Sequence, residues 1–264
     1  VIHFLGVKPQ KEGEYKIDED FPGRISSVMD EFCTKAQRKE ALEFVDISTL
    51  EDRLRGKNTI VHEFTGKVSG WCRERFIPVD YDADGRLWRV LYCVENIDEE
   101  KRRENKLMYL AQTDLMTGIR NRGSGENKIT EYLIRKQCGL LCLLDCDRFK
   151  SINDTYGHGY GDDVLREAGR LMLEEMLGKG IASRFGGEEF MLVFEEDNRE
   201  QVLQAFQNIQ EGLRKYSQAT KQTDITISGG MERYEADKQM DLLFTSADRK
   251  LYAAKNNGKN RIVE

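Results

Sequence analysis

Two short runs of β-forming residues enclose a glycine pair and constrain the fold of this chain more than any other feature. Residues 181–185 are mostly apolar and residues 190–194 entirely so, and Gly186, Gly187, Glu188 and Glu189 lie between them. This pattern predicts a β-hairpin with a tight turn, because such turns need φ > 0 and glycine adopts it without strain. The hairpin presents two carboxylates beside a bare backbone, where a phosphate-bearing ligand and a hard cation could approach.

A second acidic pair follows an apolar run of strand length. Residues 139–144 are almost entirely apolar and lead into Asp145, Cys146 and Asp147. We predict a buried central strand that delivers carboxylates at its carboxyl end, with Asp145 and Asp147 facing the same way. Asp145 taken alone fits a capping or turn acid equally well. Together with Glu188 and Glu189 it fits a Mg²⁺ site, because Mg²⁺ prefers a few carboxylates plus substrate phosphates and water.

The periodicity around these motifs predicts an alternation of helices and strands. An entry helix comes first, and a polar, glycine-rich loop near residues 151–159 opens into one of the later helices. The core of this order is β-α-β-β-α-β, which is a ferredoxin-like arrangement. The predicted segments are a helix near 125–137, strand 139–145, helix 160–176, strands 181–185 and 189–194, helix 199–216, strand 224–230, helix 241–255 and a short strand near 260–263.

The spacing of these motifs resembles the GGDEF domain of diguanylate cyclases. The resemblance covers roughly residues 108–264 with the motifs in the family's order, and it rests on three further segments. These are the entry segment 113–122, the segment 145–165 that begins Asp-Cys-Asp-Arg-Phe-Lys, and the closing segment 247–261. The resemblance implies a palm-like domain that condenses two GTP molecules into cyclic di-GMP and releases two pyrophosphates. Because each active site needs two GTP molecules, it also implies a homodimer.

The resemblance also implies a set of metal-binding and catalytic residues. Asp145, the backbone carbonyl of Cys146 and Glu188 would hold Mg²⁺, with Mn²⁺ as the alternative ion, and Glu189 would assist with a second ion. Either glutamate could deprotonate the attacking hydroxyl. Adjacent residues of a strand face opposite ways, so Glu188 is the favoured ligand. No organic cofactor is expected.

Substrate contacts follow from the same resemblance. Cationic side chains would meet the phosphates, since charge-assisted contacts to phosphate are strong; they are Lys150 and Lys255, with Arg184 and Lys259 behind them. Gly186 and Gly187 would lie beside the substrate. Asn153 and Asp162 stand at the base-reading positions, and a carboxylate can accept two hydrogen bonds from guanine that adenine cannot offer. His158 either supports the substrate or simply satisfies its loop.

One family feature is missing. Many diguanylate cyclases carry Arg-x-x-Asp as a product-inhibition site just before the signature, and residues 177–180 here are Leu-Gly-Lys-Gly. We therefore expect no feedback inhibition of that form.

The first hundred residues have a different pattern. Residues 71–79 and 87–94 alternate around an Asp-Ala-Asp-Gly turn and predict an antiparallel hairpin. With the following Glu-Asn-Ile-Asp-Glu-Glu they resemble the end of a PAS domain and its signalling helix, although a dimerising β-domain without a ligand remains the alternative. The predicted two-domain α+β organisation is a PAS-like antiparallel-sheet sensory domain at 1–96, a signalling-helix linker at 97–112 and a GGDEF domain at 113–264.

Composition excludes several classes of protein. The net charge of −6 argues against nonspecific nucleic-acid binding. No apolar run approaches the ~18–20 residues of a membrane span, and the six cysteines lack zinc-site spacing. We therefore expect a bacterial cytoplasmic protein without membrane contact in this segment. Because the chain begins at Val1, a longer, membrane-tethered protein stays open.

Two functional hypotheses follow from these features. One is an active diguanylate cyclase regulated by the PAS-like region. The other is a catalytically silent GGDEF module that binds GTP or a partner protein. Degenerate modules usually lose the signature acids, and this chain keeps them, so the enzyme is favoured.

Overall fold

The computed structural model describes residues 2–5, 25–27, 29, 32–221 and 223–264. The chain forms two compact units, Val1–Leu107 and Met108–Glu264. Their boundary falls within the predicted linker 97–112. Residues 6–24 of the predicted 1–96 domain lie outside the described residues, and each unit is described by itself below.

Unit 1, Val1–Leu107, contains a four-stranded sheet in the order β1-β4-β3-β2. Strands β2, β3 and β4 are antiparallel neighbours, and β1 lies parallel to β4. These strands, together with two of the described helices, are β1 (Ile2–Leu5), α1 (Arg38–Phe44), α2 (Leu50–Leu54), β2 (Ile60–Gly66), β3 (Gly70–Tyr81) and β4 (Leu87–Asn96).

The predicted hairpin of unit 1 is present, and its turn uses the predicted residues. Gly85 has a φ of 77°, which glycine adopts without steric cost. The Asp82 carboxylate accepts hydrogen bonds from the amides of Asp84 and Arg86 at 3.0 and 2.8 Å. These contacts close the turn between β3 and β4 and fix their register.

One buried carboxylate stands inside the core of unit 1. The side chain of Glu74 is fully buried, and its two oxygens are bonded to His62 Nδ1 at 2.9 Å and the Tyr92 hydroxyl at 2.5 Å. A buried carboxylate is tolerated only when it is hydrogen-bonded, and both oxygens of Glu74 are.

A helix, α3 (Asp98–Gln112), follows the sheet of unit 1 along the chain and falls within residues 97–112. Its first turn is acidic, which favours a helix N-terminus. Two ion pairs hold its first turns to the sheet: Arg73 with Glu100 at 2.8 Å and Lys101 with Glu63 at 2.7 Å. None of its side chains is buried.

Unit 2, Met108–Glu264, contains a six-stranded mixed sheet in the order β10-β9-β6-β8-β7-β5. Its elements are β5 (Arg120–Asn121), α4 (Arg122–Ile134), β6 (Gly139–Cys146), α5 (Phe149–Tyr156), α6 (His158–Met176), β7 (Gly180–Arg184), β8 (Glu189–Phe194), α7 (Arg199–Lys221), β9 (Ile227–Tyr234), α8 (Met240–Asn256) and β10 (Ile262–Val263).

The predicted β-α-β-β-α-β core is confirmed. Strand β6 lies between β8 and β9, is antiparallel to both, and has all eight residues buried. Helices cover both faces of the sheet: α6 and α7 contribute to one apolar cluster, and α4 and α8 to the other. A continuous apolar run is what a strand covered on both faces requires.

Several predicted boundaries differ from the structure. Residues 151–156, predicted as part of a loop, belong instead to helix α5, because Phe149 and Ile152 have helical spacing and are buried. The helix ends at Gly157, whose φ is 84°. Helix α4 begins at Arg122 rather than 125, because the Asn121 side chain accepts the Ser124 amide at 2.9 Å as an N-cap.

Helix α8 packs unusually close to β9. A Cβ built at Gly230 would lie 2.1 Å from the Ala247 carbonyl oxygen and 2.3 Å from the Leu251 amide nitrogen. We expect Gly230→Ala to lower the free energy of unfolding of unit 2 by about 3 kcal/mol or more, because backbone atoms of α8 would have to move. Thermal unfolding of the full chain followed by circular dichroism measures this.

A matched control is available in the same unit. Gly159 lies in helix α6 with nothing within 4 Å of its Cβ position, so Gly159→Ala should be neutral or slightly stabilising. Trp71 and Trp88 both lie in unit 1, so tryptophan fluorescence should be unchanged in both variants. An unaltered unfolding midpoint for Gly230→Ala would show that α8 does not approach β9 this closely.

Within the described part of the chain, no helix has the length and apolarity that crossing a membrane requires.

Candidate active site

The signature turn joins β7 to β8 through residues 185–188. The amides of Phe185 and Gly186 both donate to the Glu189 carbonyl oxygen, at 2.8 and 3.1 Å. Neither Gly186 nor Gly187 has positive φ, so the predicted tight turn with φ > 0 was wrong. The turn is longer than predicted, and Gly186 is explained by close packing instead. A Cβ at Gly186 would lie 2.4 Å from Glu189 Oε2, whereas a Cβ at Gly187 would meet open space.

Arg184 fixes the shape of this turn from inside. Its guanidinium donates to the carbonyl oxygens of Gly186 at 3.1 Å and Gly187 at 2.7 Å, and to Asp114 Oδ1 at 3.2 Å. Only 15% of the side chain is exposed. The resemblance placed Arg184 behind the phosphate-binding lysines. In the structure its donors are instead taken by protein oxygens, because a planar guanidinium can contact several acceptors at once.

Asp114 is the acidic partner of Arg184 in that contact. Its carboxylate accepts hydrogen bonds from the Thr117 amide at 3.0 Å and the Thr117 hydroxyl at 2.7 Å. Burial raises the pKa of Asp114, but the hydrogen bonds from Thr117 and the nearby Arg184 outweigh it and lower the pKa overall. The entry segment is thereby tied to the signature turn 70 residues later.

Asp145 lies at the carboxyl end of β6, directly opposite Glu189 of β8. It is 5% exposed, and its Oδ2 pairs with Lys255 Nζ at 2.7 Å. Burial raises the pKa of Asp145, Lys255 opposes this, and the charges of Glu188 and Glu189 add to it, so the pKa is raised overall. Glu189 therefore lies across from Asp145 at the end of these two strands, and both signature glutamates are close enough for their charges to act on it.

These groups fit a hard cation, although side chains alone do not form a cage for one. Among the described residues, no three His, Cys, Asp or Glu side chains form a metal-holding cluster. Mg²⁺ usually takes only one or two carboxylates and completes its shell with phosphate oxygens and water. Asp145, Glu188 and the Cys146 carbonyl would provide such a set. Burial raises the pKa of the Cys146 thiol, so the thiol itself is a poor ligand.

The predicted base-reading residues stand on two consecutive helices. Asn153 lies on α5 and Asp162 in the first turns of α6, and both are half-buried. A Cβ at Gly161 would lie 1.9 Å from Asn153 Oδ1, so a glycine at this position lets the amide approach α6. Within the described residues, neither side chain has a hydrogen bond or ion pair, and the same holds for the exposed His158. Polar groups without protein partners are available to a ligand.

The predicted cations differ in their surroundings. Lys150 is exposed at the start of α5 and, like Lys259, has no ion pair with a described residue, whereas Lys255 is paired with Asp145. Lys259 lines a cavity of about 400 Å³ between α5 and the loop after α8. Its φ of 63° is unusual for a residue other than glycine.

At three positions in this region the structure shows contacts that sequence reasoning did not assign. Asp114 holds Arg184, Gly161 makes room for Asn153, and Asp147 receives three hydrogen bonds from residues distant in sequence. The Asp-x-Asp spacing was the available signal for Asp147. For Asp114 and Gly161 the partners are set by the tertiary fold.

Most of unit 2 matches a known protein family. Residues 111–261 match the family model of the diguanylate cyclase GGDEF domain. Diguanylate cyclase DgcM of Escherichia coli K12 is 38% identical over 193 residues, which are 70% of this chain and 45% of DgcM. Diguanylate cyclase A of Treponema denticola is 29% identical over 169 residues, 60% of this chain and 46% of that protein. The chain thus spans about half the length of these curated relatives.

Solved structures show the same fold. Diguanylate cyclase SiaD of Pseudomonas aeruginosa, in complex with its activator SiaC, has a TM-score of 0.55 at 27% identity and covers 62% of this chain and 66% of its own. The coiled coil and GGDEF domain of DgcB from Caulobacter crescentus, in complex with c-di-GMP, has a TM-score of 0.55 at 24% identity and covers 63% of this chain and 92% of its own.

Proposed function

The chain belongs to the GGDEF family of diguanylate cyclases, and on that premise we propose that unit 2 condenses two GTP molecules into cyclic di-GMP and releases two pyrophosphates. One observation carries the proposal. The buried Asp145 lies directly opposite the signature residue Glu189 at the end of β6, and the charges of Glu188 and Glu189 both raise its pKa. A palm-like core with carboxylates at a strand end suits phosphoryl transfer, which depends on positioning and charge neutralisation.

The chemistry requires the 3′-hydroxyl of one GTP to attack the α-phosphorus of the other, in line with the departing pyrophosphate. Asp145, Glu188 and the Cys146 carbonyl would hold Mg²⁺, which neutralises charge on the phosphate oxygens when bound. Glu188 is half-buried and Glu189 is exposed, so we favour Glu188 as the ligand. Either glutamate could take the hydroxyl proton.

Cationic side chains would bind the triphosphate. Lys150 and Lys259 have no ion pair with a described residue, and Lys255 can exchange part of its contact with Asp145 for a phosphate oxygen. Asn153 and Asp162 would read the guanine edge, the carboxylate accepting from its N1–H and 2-amino groups. Gly186 and Gly187 would lie beside the substrate. Because the Cβ position of Gly187 borders open space, the backbone there leaves room for a close approach.

The proposal includes an assembly and a regulator. Two copies of unit 2 would face each other so that two GTP molecules meet in one site, and the cytoplasm would supply GTP and Mg²⁺. Unit 1 would act as a PAS-like sensor that favours or prevents this facing through α3, whose first turns are ion-paired to the sheet. A helix with no buried side chain along its length can change packing at low cost.

Product analysis tests the reaction directly. Concentrated protein incubated with Mg²⁺ and equal GTP and ATP, followed by mass-resolved chromatography, should give cyclic di-GMP alone. A mixed dinucleotide would contradict the proposed base choice. If no product forms while 3′-deoxy-GTP, which cannot react, still binds, the chain is a silent GTP-binding module.

We expect cyclic di-GMP added to the assay to leave the initial rate unchanged beyond competition with GTP. Residues 177–180 carry neither an arginine nor an aspartate, and Lys179 is paired with Glu175 at 3.2 Å. Initial rates at several GTP concentrations measure this. Inhibition that saturating GTP does not relieve would reveal a product site elsewhere in the chain.

A further inference from the structure

The second carboxylate of the Asp-x-Asp pair has a connection that differs from that of the first. Asp147 is 5% exposed, and its oxygens accept hydrogen bonds from the Thr226 hydroxyl at 2.7 Å, the Ser228 hydroxyl at 2.7 Å and the Asn260 amide at 3.1 Å. Three donors on two distant segments thus converge on one carboxylate. An acid whose oxygens are occupied in this way is a poor metal ligand and a good tether.

The segment tethered by Asp147 is the loop that follows α8. Gly258, Lys259 and Asn260 have φ values of 106°, 63° and 52°, so three successive residues have positive φ, where residues with a Cβ are disfavoured. Such a backbone persists only where surrounding contacts hold it. The Lys259 amide donates to the Ala254 carbonyl at 3.0 Å on one side, and the Asn260 amide donates to Asp147 on the other.

Lys259 therefore lies between two fixed points, with its side chain lining the cavity beside α5. Asp145 pairs with Lys255 at the end of α8, while Asp147 holds the loop that carries Lys259. The two acids at the end of β6 thus contact the two lysines of the closing segment in different ways, one through the ammonium group and one through the backbone.

We propose that Asp147 is a positioning residue that sets the place of Lys259 and so determines how tightly the chain binds a triphosphate, without itself contacting the nucleotide. The inference rests on the proposed function, because it takes GTP as the ligand. It separates the two acids: Asp145 acts on the reacting centre, and Asp147 acts through Lys259.

The test compares ligands that differ in their phosphates. Asp147→Asn keeps the shape of the side chain but replaces one carboxylate oxygen with an NH₂ group. An NH₂ group cannot accept a hydrogen bond, so either the Asn260 amide or the Ser228 hydroxyl loses its acceptor. Calorimetry with the full chain should show about tenfold weaker binding of 3′-deoxy-GTP, equivalent to one lost charge-assisted contact. Binding of 3′-deoxyguanosine, which has no phosphates, should stay unchanged. Asp237→Asn, an exposed acid in the loop after β9, is the control and should change neither.

A double-mutant cycle identifies the route of the effect. If Asp147 acts through Lys259, Asp147→Asn should cost less than about twofold in a Lys259→Met background, whereas independent effects would multiply. Thr226→Val removes one donor with little change of shape and should weaken 3′-deoxy-GTP binding about threefold, which keeps the test available if Asp147→Asn does not fold. Fully multiplying effects, or equal losses for both ligands, would overturn the inference. If the unaltered chain binds 3′-deoxy-GTP but Asp147→Asn changes nothing, this inference alone fails; if the unaltered chain binds no GTP analogue, the proposed function fails with it.

Discussion

We expect Asp145→Asn to lower kcat for cyclic di-GMP formation by about 10³-fold or more while changing the affinity for 3′-deoxy-GTP by less than about twofold. The carboxylate lies at the carboxyl end of β6, directly opposite the signature residue Glu189. Removing its charge removes one ligand of the proposed Mg²⁺ and leaves the guanine-reading residues on α5 and α6 untouched. Product formation and calorimetry measure the two quantities separately.

The same substitution should leave the protein folded, and the direction of the change in stability follows from the pKa shift of Asp145. Burial raises the pKa of Asp145 above its unfolded value, with Lys255 opposing and Glu188 and Glu189 adding to the rise. The folded state therefore disfavours the ionised form and becomes relatively more stable as the pH falls through the raised pKa. The neutral amide side chain of the variant avoids that penalty at pH 7, so the unfolding temperature should be equal or higher.

A control variant and a contradicting result are both available for the Asp145→Asn prediction. Glu196 is an exposed acid just after β8, and Glu196→Gln should keep full activity. If Asp145→Asn keeps more than about a tenth of kcat, Asp145 is not a metal ligand, because loss of one directly acting group costs about 10²- to 10³-fold. A large fall in 3′-deoxy-GTP affinity would instead assign Asp145 to ground-state binding.

The central strand and its hairpin could be predicted because their signals are local. Residues 139–144 carry no charged side chain, and so short an apolar run fits a strand buried on both faces. The glycine pair between two apolar runs likewise marks a turn. Both signals concern residues adjacent in sequence, so one sequence suffices to locate them.

The conformation of the turn could not be predicted, because a distant residue determines it. The turn at Gly186 and Gly187 forms without positive φ because the Arg184 guanidinium donates hydrogen bonds to both of their carbonyl oxygens. Asp114 in turn accepts a hydrogen bond from Arg184. Nothing in the spacing of residues 113–122 indicates that contact. A local rule for Gly-Gly turns therefore gave the wrong backbone at a place where tertiary contacts set the conformation.

The helix at residues 149–156 was missed for a different reason. The segment is polar and short, and the following glycines favoured a loop. Two buried side chains one turn apart, Phe149 and Ile152, are too few for a periodicity argument. The core against which they pack stabilises the helix, and it is this helix that places Asn153 beside α6.

We expect Asp162→Ala to lower kcat/KM for GTP on the order of 10²- to 10³-fold and to abolish discrimination between GTP and ITP. A carboxylate would accept from both N1–H and the 2-amino group of guanine, and each charge-assisted hydrogen bond contributes about 1.5–3 kcal/mol. ITP lacks the 2-amino group, so the unaltered chain should prefer GTP by about tenfold or more. Steady-state kinetics with each nucleotide measures both ratios.

The neighbouring acid provides the matched control for this substitution. Asp163 is exposed and pairs with Arg166 on the surface of α6, so Asp163→Ala removes the same charge one residue away without touching the half-buried position. It should preserve both kcat/KM and the GTP preference, since surface ion pairs contribute little. If Asp162→Ala lowers the rates with GTP and ITP equally, the carboxylate acts on a part of the nucleotide that both share, and guanine recognition must lie with Asn153 or with residues on another element.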